Sequence, residues 1–128
     1  MKDNIKLILL ALLLFVGQSA WAEIVGGYCG DGMRSGTFNQ KDYESMQWSF
    51  DTETGELYIW GSGYMGYLND VQQSPWYAYL TQIKSVYIDG YVNDIRAYAF
   101  AGCTNLVNVV VAVPGEMEEW GAHAFETC

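Results

Sequence analysis

AYAFAGC, residues 97–103, returns as AHAFETC, residues 122–128, with alanine, phenylalanine and cysteine at the same spacing. Working outward from this echo, Ile83, Val86, Ile88, Val92, Ile95, Ala99, Phe100 and Cys103 align with Leu106, Val109, Val111, Met117, Trp120, Ala124, Phe125 and Cys128. The offset is 23 residues at the start and 25 at the end, so the second copy carries two extra residues, placed near Pro114-Gly115. Repeats of this length are used by arrays in which each unit adds a short strand and a turn or short helix. A segment of this kind cannot cover its own apolar face, so its stability must come from stacking on a neighbour.

Within each copy the apolar spacing changes character. Val86 with Ile88, and Val109 with Val111, alternate as strands with one buried face. Ile95, Ala99 and Phe100 are spaced as one face of a short helical turn, in which alanine allows close approach to the strand and phenylalanine fills the space beyond. Upstream, Trp48 and Phe50, the polar string DTETGE (51–56) and Leu57-Tyr58-Ile59-Trp60 predict a β-hairpin. Leu57 and Ile59 share one face of its second strand, leaving Tyr58 and Trp60 on the other. The following loop breaks regular structure at its glycines and at Ser74-Pro75, and Trp76, Tyr77 and Tyr79 are expected to fold back over the end of a core. Residues 23–40 hold five glycines without a sustained apolar period and read as a mobile lead-in.

The stretch IKSVYIDGYVNDIRAYAFAGCTNLVNVVV (83–111) resembles the repeat of BspA-type leucine-rich repeat proteins of bacteria, through Ile83, Val86, Ile88, Val92, Ile95, Ala99, Phe100, Cys103, Thr104, Asn105 and Leu106. WSFDTETGELYIWGSGYM (48–65) and SPWYAY (74–79) are similar to the hairpin and Trp-containing segment that often precede the first repeat. Arg96 stands where that family usually has glycine, whereas Gly121 fits, and Trp120 replaces a branched aliphatic. The resemblance implies an α+β solenoid: an N-terminal β-hairpin cap (41–82), then about two leucine-rich-type repeats (83–128) with short strands and short helical turns. It also implies a surface protein engaged in adhesion or protein binding. The family strings several repeats together, so an alternative expectation is a fragment of a longer array that does nothing alone.

At the other end, Lys2 and Lys6, the apolar run Leu7–Val16 and Ala20-Trp21-Ala22 predict a cleavable export signal over 1–22. That run is about half the ~20 residues a spanning helix needs, so no membrane insertion of the mature chain is expected. Export places the product outside the cell or on its envelope. The whole chain has six basic and fifteen acidic residues, net −9; removal of Lys2, Lys6 and Asp3 brings this to −10. Such a charge repels phosphate backbones, and nucleic acid is not an expected partner.

Little in the sequence points to catalysis. His123 is the single histidine, between two alanines on the expected outer side of the turn. A thiol hydrolase using Cys128 or Cys103 with His123 lacks an orienting residue, and neither these groups nor DTETGE shows metal-ligand spacing. No catalytic residue, metal or cofactor is assigned. Three cysteines cannot all pair internally. Cys103 and Cys128, at matching repeat positions, either form a disulfide in an oxidising compartment or pack as small hydrophobes, with packing preferred. What stands out is aromatic surface: with Val86 and Ile88 inward, Tyr87 points out, as do Tyr58 and Trp60. Tyrosine and tryptophan are enriched at binding hot spots. The expectation is a non-enzymatic module that binds an extracellular or cell-surface protein through Tyr58, Trp60 and Tyr87, with self-association through the uncapped C-terminal copy.

Overall fold

A computed structural model describes residues 23–66, 74–112 and 119–128. The expected export signal therefore lies outside the described residues, as do Met117 and the Pro114-Gly115 insertion. The hairpin forms as predicted. Strand β2 (Met46–Asp51) pairs antiparallel with β3 (Glu56–Gly63), Trp48 opposite Ile59 and Phe50 opposite Leu57. Asp51 closes the turn: its Oδ1 accepts from the backbone N–H of Glu53 and Thr54 at 2.8 and 3.2 Å. Gly55 completes the reversal at φ +79, a left-handed conformation that favours glycine.

Three strands extend this hairpin, one beside β2 and two beyond β3. On one side β1 (Ile24–Tyr28), drawn from the glycine-rich lead-in, runs antiparallel to β2. The absence of an apolar period concealed it, because strand pairing is a backbone contact that glycines permit. On the other side β4 (Ser85–Asp89) lies parallel to β3, and β7 (Asn108–Ala112) parallel to β4. Val86 faces Val109 and Ile88 faces Val111, so the two copies sit side by side at the 23-residue offset. The order is β1-β2-β3-β4-β7, with the short β5 (Tyr91–Val92) joining β3, in a six-stranded mixed and open sheet.

This architecture corrects the expected fold class. Among the described residues the protein is a small β-rich domain built on one mixed sheet, not an α+β repeat solenoid. The α-helix α1 (Gln40–Glu44) and the 3-10 helix (Tyr77–Gln82) found among the described residues both lie outside the two copies. Where short helical turns were expected, β6 (Asp94–Ile95) leads into a ribbon of turns that runs beside the segment beginning with β8 (Glu119–Trp120). The physical reason is the direction of the N–H groups. Ala99, Ala101 and Cys103 donate back three residues, while Tyr98, Phe100 and Gly102 donate sideways to the carbonyls of Ala122, Ala124 and Glu126 at 2.8–3.1 Å. A helix would point each of these donors along its axis to the carbonyl four residues back. Tyr98, at φ 60, stands outside the helical region altogether.

The core lies between the inner sheet face and this ribbon. Phe50, Leu57, Ile59, Ile88, Trp76, Phe100 and Cys103 are all fully buried. Trp76 folds over the core as expected: it stacks on Phe100 at 5.6 Å, meets Trp48 edge-on at 5.8 Å and donates its indole N–H to Ala99 O at 2.8 Å. Tyr79 packs on the Phe50 ring, whereas Tyr77 stays exposed. A polar clasp closes one end. Arg96 donates to Met65 O at 2.8 Å and pairs with Asp31 at 3.1 Å, and Asp94 accepts from Met65 N–H at 2.9 Å. The arginine that departs from the resembled pattern thus ties β6 to the end of β3 and to the lead-in. Gly121 of the second copy approaches this point so closely that a Cβ would stand 2.1 Å from Ala97 N.

Candidate functional site: the outer face of the sheet

Strand alternation sends Leu57, Ile59, Val86 and Ile88 inward and leaves the opposite set facing solvent. Tyr58 and Tyr87 are register partners across β3 and β4, and their rings meet at 5.4 Å with a 60° tilt. Such aromatic cross-strand pairs contribute roughly 0.2–1 kcal/mol to pairing while holding both rings in fixed orientations. Tyr58 is 44% exposed and Tyr87 half-buried beside it. Trp60, 37% exposed, stands two residues further along β3, opposite Gln47 of β2. The three predicted residues therefore share one face: two touch, and the third extends the row along the strand.

Val110 and Asn108 of β7 complete the site, and sequence reading missed both. The signal was present, since Val110 and Tyr87 are equivalent under the 23-residue offset, as Asn108 and Ser85 are. Together with Glu56 and Ser85 they border a shallow depression of about 130 Å³ beside Tyr58 and Tyr87. Its lining sets the two tyrosines and Val110 beside a hydroxyl, an amide and the exposed Glu56 carboxylate. Gly26 and Ser49 continue the Tyr58 row toward β1 with little side chain, so the aromatic ridge falls away on that side. Asp51 and Glu56 face each other across β2 and β3 and give this border a negative edge. The arrangement offers rigid aromatic contact area, a few hydrogen-bonding groups and negative charge.

The thiols and the histidine lie elsewhere. Cys29 and Cys103 are buried, and burial pushes each thiol up to about 12; for Cys103 the neighbouring Cys128 adds to the effect. Cys128, expected to be packed inward, is exposed, and its Sγ donates to Phe100 O at 3.1 Å. His123 is on the outer side as expected, stacked on Tyr98 at 4.8 Å, with Nδ1 2.6 Å from Glu126. Tyr98 and His123 occupy equivalent positions and share a positive φ, 60 and 59, so the ring stack is set by matching backbones. No family model, curated protein or solved structure matches this chain.

Proposed function

We propose that this chain is an exported, non-enzymatic binding module that engages an extracellular or cell-surface protein through the outer face of its sheet. The observation that carries the reading is the in-register Tyr58–Tyr87 pair, which remains substantially open to solvent and continues into Trp60 and Val110. Large, stiff aromatic side chains give contact area with little loss of side-chain freedom. The acidic edge at Asp51 and Glu56 favours a partner that surrounds an apolar anchor with lysine or arginine. The motif AFAGCTNL and the leader-like residues 1–22 support a bacterial surface setting by resemblance and by charge pattern.

The test uses the full chain against an array of purified extracellular and cell-surface proteins, beside the triple variant Tyr58→Ser, Trp60→Ser, Tyr87→Ser. Binding that weakens at least tenfold in the variant, with unchanged far-UV circular dichroism, supports the reading. Equal binding by both removes this face from consideration.

A second reading, association of two copies, is favoured by the edge strand. Ser85 N–H donates to Gly55 O on the β3 side, so in the parallel register Val86 and Ile88 bond to Asn108, Val110 and Ala112, and the backbone groups of Val109 and Val111 turn to the outer edge of β7. Among the described residues no strand pairs there. Residues 107–112 carry no charge in a chain of net −9, so the edge meets its own copy without repulsion. A two-fold axis at Val110 sets Asn108 against Ala112 and Val109 against Val111. Sedimentation of the wild type and of Val110→Lys distinguishes the readings: a dimer dissolved by the lysine supports pairing, and a wild-type monomer at high concentration excludes it.

A further inference from the structure

We propose that Cys103 and Cys128 are the two halves of an intramolecular disulfide that fastens residues 119–128 to residues 94–103. Three observations converge on this pair. First, the two segments run side by side as far as Gly102 and Glu126. β6 and β8 are parallel, with Ile95 opposite Trp120, and the pairing continues through Tyr98 N–H to Ala122 O, Phe100 N–H to Ala124 O and Gly102 N–H to Glu126 O. Neighbouring chains in such a ladder lie about 4.8 Å apart, inside the Cα separation of roughly 4.4–6.8 Å that a disulfide spans. Second, one carbonyl gathers both residues. Phe100 O accepts from Cys103 N–H at 3.0 Å and from Cys128 Sγ at 3.1 Å, which seats the Cys128 sulfur over the turn that carries Cys103. The influence of Cys128 on the Cys103 thiol agrees with their being neighbours.

Third, the two thiols have complementary access. Cys128 is exposed and Cys103 fully buried, so solvent-borne reagents reach one, and that one reaches the other. The step is a thiol–disulfide exchange with a small oxidised disulfide, such as oxidised glutathione. The Cys128 thiolate attacks one sulfur of the reagent, forming a mixed disulfide and expelling one thiolate. Cys103, as its thiolate, attacks the Cys128 sulfur, closes the protein bond and expels the second. Two reagent thiols are formed and two protein thiols are oxidised. Without the bond the last segment is held by backbone hydrogen bonds and half-exposed rings; with it, the unfolded chain loses the freedom of the residues enclosed between the cysteines. Cys29 takes no part, lying at the end of β1, where its N–H donates to Met46 O.

The experiment poises the folded full chain in glutathione buffers from reducing to oxidising, traps free thiols with N-ethylmaleimide, and maps peptides by mass spectrometry. The expected product is a Cys103–Cys128 cross-link 2 Da lighter than the dithiol, with Cys29 trapped only after unfolding and a thermal midpoint several degrees higher in the oxidised form. In Cys103→Ser, glutathione should remain on Cys128. The wild-type map decides the matter even where that variant fails to fold. Recovery of both thiols alkylated in the most oxidising buffer overturns the proposal, as does a Cys29–Cys103 bond or a Cys128 found only between chains or on glutathione.

Discussion

The two copies follow the same turn pattern and differ sharply in burial. In the first, Ile88, Ile95, Phe100 and Cys103 are at most 1% exposed; in the second, Val111, Trp120 and Phe125 are 42%, 39% and 37% exposed, and Cys128 is open to solvent. Even the left-handed positions correspond, Tyr98 with His123 and Gly102 with Thr127. The difference is one of neighbours. The first copy lies between β3 with Trp76 on one side and the second copy on the other, whereas among the described residues the second has a neighbour on one side alone. Burial, and with it the energetic weight of a residue, thus comes from position in the sheet order rather than from the motif.

The largest expected contrast is between the stacked phenylalanines. Phe100→Ala empties a site under Trp76 and should cost about 3–5 kcal/mol, whereas Phe125→Ala, removing a ring already more than a third exposed, should cost about 1 kcal/mol by the area it buries. Urea unfolding of the two variants checks this, and equal costs would mean that the second copy is as well covered as the first. Arg96→Ala should come next, at roughly 1–3 kcal/mol, because it removes a donor to Met65 O and leaves the largely covered Asp31 without this ion-pair partner. High salt should lessen the loss only in part.

Alkaline titration of the reduced protein tests the burial of the first-copy and lead-in thiols. Burial raises the Cys29 and Cys103 thiols from 9.0 to about 12. Between those values the unfolded state releases the protons that the folded state keeps. Their contribution to stability is therefore whole below about pH 9 and lost as the pH rises toward 12. The wild type should lose stability over this window more steeply than Cys29→Ala, and parallel curves would refute the burial argument. Smallest of all, Thr127→Gly should stabilise by less than about 1 kcal/mol, because it relieves a β-branched residue at φ 60 where the first copy already has Gly102. Differential scanning calorimetry should register a modest rise in midpoint; a fall would show that the left-handed backbone is not what Thr127 resists.

Much of the sheet was readable because it rests on local pattern. Alternation marked β2, β3, β4 and β7, and its inward residues are buried in β2, β3 and β4 while Val111 of β7 is left exposed; parity put Tyr58, Trp60 and Tyr87 on the opposite face. Lead-in strand β1 was not legible, since its pairing depends on backbone groups that carry no apolar signature. The turn ribbon after β6 was misread for a related reason: Ile95, Ala99 and Phe100 satisfy a helical spacing and a run of turns equally well. The sideways hydrogen bonds of Tyr98, Phe100 and Gly102 and the positive φ of Tyr98 separate the two. At the candidate site, Tyr87 was legible as an outward residue, but its contact with Tyr58 required the β3–β4 register, which no turn between those strands announces.

By itself, the sequence determined which side chains turn inward in β2, β3 and β4, that two segments share one plan, and that the chain is strongly acidic, because these follow from periodicity and charge along a line. Tertiary structure alone decided that the plan is carried by a mixed sheet and a ribbon of turns, and that one copy is buried while its twin is half exposed. Those outcomes depend on where each backbone donor finds its acceptor and on which segments lie to either side, and such relations form only when distant stretches of chain meet.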